Sequence, residues 1–70
     1  MTRDQHLAWC KARAREYIEI GEIRQAVTSM MCDLAKHDDI VISSETAVLS
    51  FEVMLSNDRD KAQRFIDGFK

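Results

Sequence analysis

The sequence predicts an all-α single domain of four short helices, arranged as two antiparallel helix hairpins and assembled as an oligomer. Three observations carry this expectation. The chain has no proline, and its only glycines are Gly21 and Gly68, so almost nothing interrupts a helix from within. Apolar residues recur at steps of three and four, the spacing that puts them on one helical face. Capping and turn residues fall between these runs, where helices should start and stop. Seventy residues make one domain at most. With 46% hydrophobic and 31% charged residues, the balance is globular and argues against disorder.

Thr2 followed by Gln5 fits a capping box, in which the two side chains satisfy free N–H groups of the first turn. The first helix then runs to about Ile20, with Leu7, Cys10, Ala14 and Tyr17 on its buried face, and Gly21 supplies a left-handed stop. A second helix runs from about Ile23 to Lys36 on a stripe of Ile23, Ala26, Val27, Met30 and Leu34. The Gly21-Glu22 connection is so short that these two helices must be antiparallel neighbours. His37 to Ser44 is the long break. Its β-branched Ile40-Val41-Ile42 is poor for helix and reads as an apolar strap over the hairpin, or else as a short edge strand. The strap is favoured because a three-residue strand has nothing here to pair with. Ser43 and Ser44 are good N-caps for a third helix, about Glu45 to Ser56. Asn57-Asp58 makes a turn. A fourth helix runs from about Arg59 to Asp67 with Ala62, Phe65, Ile66 and Phe69 on one face, and ends at Gly68.

A faint internal repeat supports the two hairpins. Ala14, Tyr17, Gly21, Ala26 and Met30 align at a constant offset with Ser50, Val53, Asn57, Ala62 and Ile66. Each set runs small, large, turn, small, large. Small residues let two helices approach, the turn residue permits the reversal, and the large ones fill the crevice. The first set resembles the helix-hairpin unit of tetratricopeptide repeats. The second set departs at Val53 and Asn57, and Cys10 stands where that family has a large aromatic. The resemblance implies hairpin geometry and no peptide-binding groove, which needs several stacked repeats.

A second resemblance covers more of the chain. The string from Asp4 through Gln5, His6, Leu7, Ala8, Trp9, Cys10, Lys11, Ala12 and Arg13 to Ala14 resembles the start of short proteins encoded by tailed bacteriophages and prophages. Ala26-Val27, Ser29-Met30, Asp33-Leu34, Lys36-His37 and the closing Phe65-Ile66-Asp67-Gly68-Phe69 are similar too. Residues 38–58 match weakly. The resemblance implies a phage accessory protein in a bacterial host cytoplasm, and such proteins often act by occupying a host component, including components of host defence. It implies nothing about the site.

Charge narrows the partners. The net charge of −2 argues against a general nucleic-acid binder. The distribution is uneven: residues 1–15 carry a net +3, residues 16–58 a net −7 and residues 59–70 a net +2. Such a chain can self-associate head to tail, or offer one basic patch to an anion. The two cysteines form no disulfide framework. No apolar run is long enough for a signal peptide core or a membrane span, so a cytosolic protein with reduced thiols is expected. The runs Asp38-Asp39 and Asn57-Asp58-Arg59-Asp60 read as loops and caps.

Several residues invite a chemical reading. Folding about Gly21 brings Cys10 level with Cys32 and His6 level with His37, and His6 and Cys10 share a helical face at a spacing that suits zinc. The favoured reading has no metal: two small buried thiols and two surface histidines. Cys10 with His6 could mimic a catalytic pair, but no orienting third group or oxyanion hole accompanies them, so no enzyme and no cofactor are expected. The stripe of most interest runs through His6, Trp9 and Arg13, about 100° around the first helix from its core face. That trio can stack on a planar ring and pair with an anionic group, or serve as a protein hot spot. The alternative is that Trp9 packs on Phe65 and Phe69 as core. Lys11 and Arg15 form a separate basic pair on the same helix, with Glu19 in reach of Arg15. Met30-Met31 reads as soft core.

Apolar surface at Trp9, Ile18, Ile20, Met31, Ile40, Val41, Ile42 and Val48 exceeds what four short helices can cover, hence the expected homo-oligomer. The favoured function is inhibition of a host component by stoichiometric binding, the occupant being a host protein or a nucleotide-like anion. His6, Trp9, Arg13, Lys11 and Arg15 are the candidate binding residues. The alternatives are a structural or assembly protein of a phage particle and, disfavoured, a nucleic-acid-binding regulator.

Overall fold

A computed structural model describes residues 2–37 and 40–69, so the expected acidic loop at Asp38-Asp39 lies outside the described residues. Helix α1 spans Arg3–Glu19. The Thr2 hydroxyl accepts from the Gln5 N–H at 3.1 Å while the Gln5 side chain accepts from the Thr2 N–H at 2.9 Å, which completes the capping box read from the sequence. The helix stops where Gly21 takes φ +82°, a left-handed conformation that glycine adopts without a Cβ clash. The Gly21 and Glu22 N–H groups then donate back to the carbonyls of Ile18 and Tyr17.

Helix α2 spans Ile23–Leu34. The sequence extends it to Lys36; instead Lys36 and His37 donate to the carbonyls three residues back, a tighter closing turn. Ile40 and Ile42 pack against the core while Val41 points outward, so the segment is a strap, with no strand among the described residues. Helix α3 spans Ser44–Ser56, and the Ser43 hydroxyl caps it by accepting from the Thr46 N–H. It ends at Asn57, left-handed at φ 50°. The Asp58 carboxylate then caps α4, Arg59–Asp67, by accepting from the Lys61 N–H.

Helix α1 packs along α2, α4 lies against both, and α3 touches α2 and α4. Ala14, Ala26 and Ala62 are wholly buried where the helices meet, and Met30, Leu34 and Ile66 fill the space between them. Four of the five pairs of the internal repeat share a role, while Tyr17 is partly buried where Val53 is buried. Ala26 matches Ala62 and Met30 matches Ile66 in full burial, Ala14 matches buried Ser50, and Gly21 matches Asn57 in backbone hand.

The apolar surplus lies only partly where expected: Trp9, Ile20, Val41 and Val48 are exposed, and the other four expected residues are not. Ile18 is buried, and Met31, Ile40 and Ile42 pack on the core, because α2 and the strap close over them. Helix α3 adds Leu49, Phe51 and Leu55 to the exposed large apolar residues and contributes only Ser50 and Val53 to the buried set. The Cα radius of gyration is 11.1 Å, matching the ~11 Å expected of a well-packed chain of this length. The exposure of α3 is thus a property of one face and not of a loose interior. No helix among the described residues is long and apolar enough to cross a membrane.

Candidate functional site

The site is organised by a residue the sequence reading passed over. Asp33 sits on the apolar stripe of α2 between Met30 and Leu34, and its side chain is only 4% exposed. A carboxylate taken out of water needs charged or hydrogen-bonded partners. Arg13 Nε donates to Oδ2 at 2.9 Å, Lys36 Nζ to Oδ1 at 3.3 Å and Ser29 Oγ to Oδ2 at 3.3 Å. The Asp33 backbone carbonyl accepts from His6 Nε2 at 2.6 Å. Both ends of this one residue thus clamp the start and middle of α1 to the end of α2.

His6 and Cys32 correct the expected burial. His6 is buried and not on the surface, because the end of α2 lies over the first turns of α1 and gives its ring a carbonyl to donate to. Cys32 is exposed, since Met30, Asp33 and Leu34 define the inward face of α2 and residue 32 lies off it. Cys10 is buried as expected. Burial pushes its thiol above the ordinary range, and the nearby Asp33 charge pushes the same way. A thiol held neutral is a poor nucleophile and a poor metal ligand.

The aromatic stripe is a column of planar groups. The His6 and His37 rings lie 5.0 Å apart, the level pairing expected from folding about Gly21. His6 and Trp9 are 5.5 Å apart, and the Arg13 guanidinium lies 4.9 Å over the indole. Trp9 is 37% exposed, so it is neither free surface nor core. The alternative, Trp9 on Phe65 and Phe69, is not among the ring contacts of the described residues, where those two rings pack edge to face with each other. Arg13 also departs from expectation. Its plane covers the indole face that a ligand ring was to stack on, and its Nε is committed to Asp33. The side chain is half-exposed, and its terminal N–H groups make no hydrogen bond among the described residues.

Lys11 and Arg15 point to the other side of α1 and hold α4. Lys11 Nζ donates to the carbonyls of Asp67 and Phe69, where the end of α4 leaves acceptors unpaired and the helix dipole favours a cation. Arg15 pairs with Asp67 at 2.9 Å instead of the expected Glu19, and Gln63 donates to the same carboxylate oxygen. These two bases are therefore spatially separate from the His6–Trp9–Arg13 column.

The Arg15 and Gln63 hydrogen bonds hold the Asp67 carboxyl below its ordinary value of 3.8. A depressed carboxylate contributes stability that is complete above the ordinary value and is lost as pH falls through the lower folded value. The thermal midpoint of the wild type should therefore fall faster than that of Asp67→Asn as pH is lowered below about 4. Two parallel melting curves against pH check this; equal acid sensitivity would remove the clamp's contribution.

Asp33 did leave a signal in the sequence: a lone acid on an otherwise apolar helical stripe, four residues after Ser29. The sequence pattern could not say which base would cross to meet it. Comparison with known proteins adds nothing to this geometry, as no family model, curated protein or solved structure matches the chain.

Proposed function

We propose that this chain is a non-catalytic, phage-type accessory protein of the host cytoplasm that assembles with itself and inhibits a host component, such as one of host defence, by sequestering a nucleotide-like anion. In this reading its helices work as two antiparallel hairpins, α1–α2 carrying the Arg13–Trp9 column and α3–α4 serving assembly. The observation that supports it is Arg13. Its guanidinium is fixed in orientation by Asp33 and Trp9 while its terminal N–H groups stay open, a preorganised donor pair suited to phosphate. The indole edge and the His6 ring beside it give a base an apolar border. The exposed face of α3 favours a second reading, an assembly protein of the phage particle.

Calorimetric titration with mononucleotides, cyclic mononucleotides and cyclic dinucleotides tests the first reading. At least one should bind stoichiometrically. Arg13→Lys keeps the positive charge beside Asp33 and loses the planar donor pair, so it should fold normally and bind about 10–150-fold more weakly, the loss of one charged hydrogen bond. Failure of every nucleotide to bind, or full affinity in Arg13→Lys, would sink nucleotide sequestration and leave a host protein or assembly as the use of this surface.

A further inference from the structure

We infer that the outward face of α3, together with the groove between α3 and α4, is a two-fold surface on which a second copy of this chain docks. The inference rests on the self-assembly reading above and names the surface it uses. Val48, Phe51 and Leu55 are spaced by three and four residues and are 57%, 64% and 81% exposed. That spacing makes one apolar stripe, turned away from the side on which Ser50 and Val53 are buried. No other helix among the described residues leaves three large apolar side chains exposed on one face. Half-exposed Leu49 lies beside them on the same helix, and such a concentration of exposed apolar side chains is often functional.

Charge complementarity points to a second copy as the occupant. Every charged residue of α3 is acidic, Glu45 and Glu52. The adjoining groove, about 420 Å³ in volume with an apolar floor that includes Val53 and Phe65, has Glu52 on its α3 wall and Lys61 and Arg64 on its α4 wall. Glu45, Glu52, Lys61 and Arg64 make no ion pair among the described residues. An apolar stripe with unpaired acids on one flank and unpaired bases beyond them is self-complementary. Antiparallel pairing of α3 with the other copy's α3 about an axis near Phe51 packs stripe on stripe and lays groove on groove. Each Glu52 then faces the other copy's Lys61 and Arg64, the reciprocal arrangement a two-fold interface requires. A foreign protein partner would have no reason to repeat both halves of that pattern.

The test is sedimentation of the full chain over a wide concentration range. The wild type should self-associate. Phe51→Asp and Leu55→Asp should each weaken association roughly 100-fold, as a carboxylate forced into an apolar contact demands, with helical circular dichroism unchanged because both side chains are exposed. Should Phe51→Asp lose helicity, the more exposed Leu55→Asp decides the point. Glu52→Lys alone and Lys61→Glu/Arg64→Glu alone should self-associate poorly, and mixing the two should restore pairing. A strictly monomeric wild type would overturn both the inference and the self-assembly reading. Association that survives both aspartate variants, or no restoration on mixing, would overturn only this surface and leave assembly through another face.

Discussion

Leu34→Ala should remove about 2–5 kcal/mol of stability, the cost of a buried leucine truncation that leaves a cavity. A chain of this length has about 4–10 kcal/mol in total, so the variant should be near half-unfolded in mild denaturant. Leu34 is wholly buried on the stripe of α2 that includes Val27 and Met30. Helix α2, like α4, is touched by all three other helices, so a void on its inward face sits within the packing they share. Leu55→Ala is the matched control: the same atoms are removed from an exposed position, where the cost in the monomer should stay within about 0.5 kcal/mol. Urea denaturation at a concentration below self-association gives both values. The assignment of the core fails if Leu34→Ala lies within 1 kcal/mol of the wild type, or if the two variants cost the same.

The contrast between Leu34 and Leu55 also shows what a sequence of this kind can and cannot convey. Helix ends were legible because their causes are local. Thr2 with Gln5, Ser43 and Asp58 each cap within three residues, and Gly21 and Asn57 each reverse the chain by their own backbone conformation. The strap was legible because β-branched residues with no pairing partner have few other options. The repeat was legible because most of its pairs play the same roles. The site was only half legible. The column of His6, Trp9 and Arg13 follows from helical spacing alone, and the structure has it. The partners of its members do not follow, because Arg13–Asp33 and Lys11 with the end of α4 link positions far apart in the chain, set by how helices lie across one another. Periodicity says which face is inward; it does not say which neighbour covers it. That is why His6 was expected on the surface, Arg15 was paired with its own helix, and Asp33 went unremarked.

Arg13→Ala should cost about 1–3 kcal/mol of stability. It strips the nearest base from a carboxylate that is almost wholly out of water. The cost falls short of the ~3–5 kcal/mol for breaking a fully buried pair, because Arg13 is half-exposed and Lys36 and Ser29 still contact Asp33. Asp33→Ala should cost a similar amount, and the double variant should cost less than the two singles summed. A coupling of about 1–2 kcal/mol in a double-mutant cycle is the expected value for contacting charged groups in partial burial. Arg13→Lys, by contrast, should restore most of the stability, since an ammonium can still serve the Asp33 carboxylate. The cycle separates the two roles assigned to Arg13. A large coupling means that the guanidinium is anchored before any ligand arrives, so an anion meets donors already oriented and little ordering cost is left to binding. A coupling near zero means that Lys36 alone satisfies Asp33. Arg13 would then be free to swing from Trp9, and the preorganised donor pair on which anion binding rests would not exist.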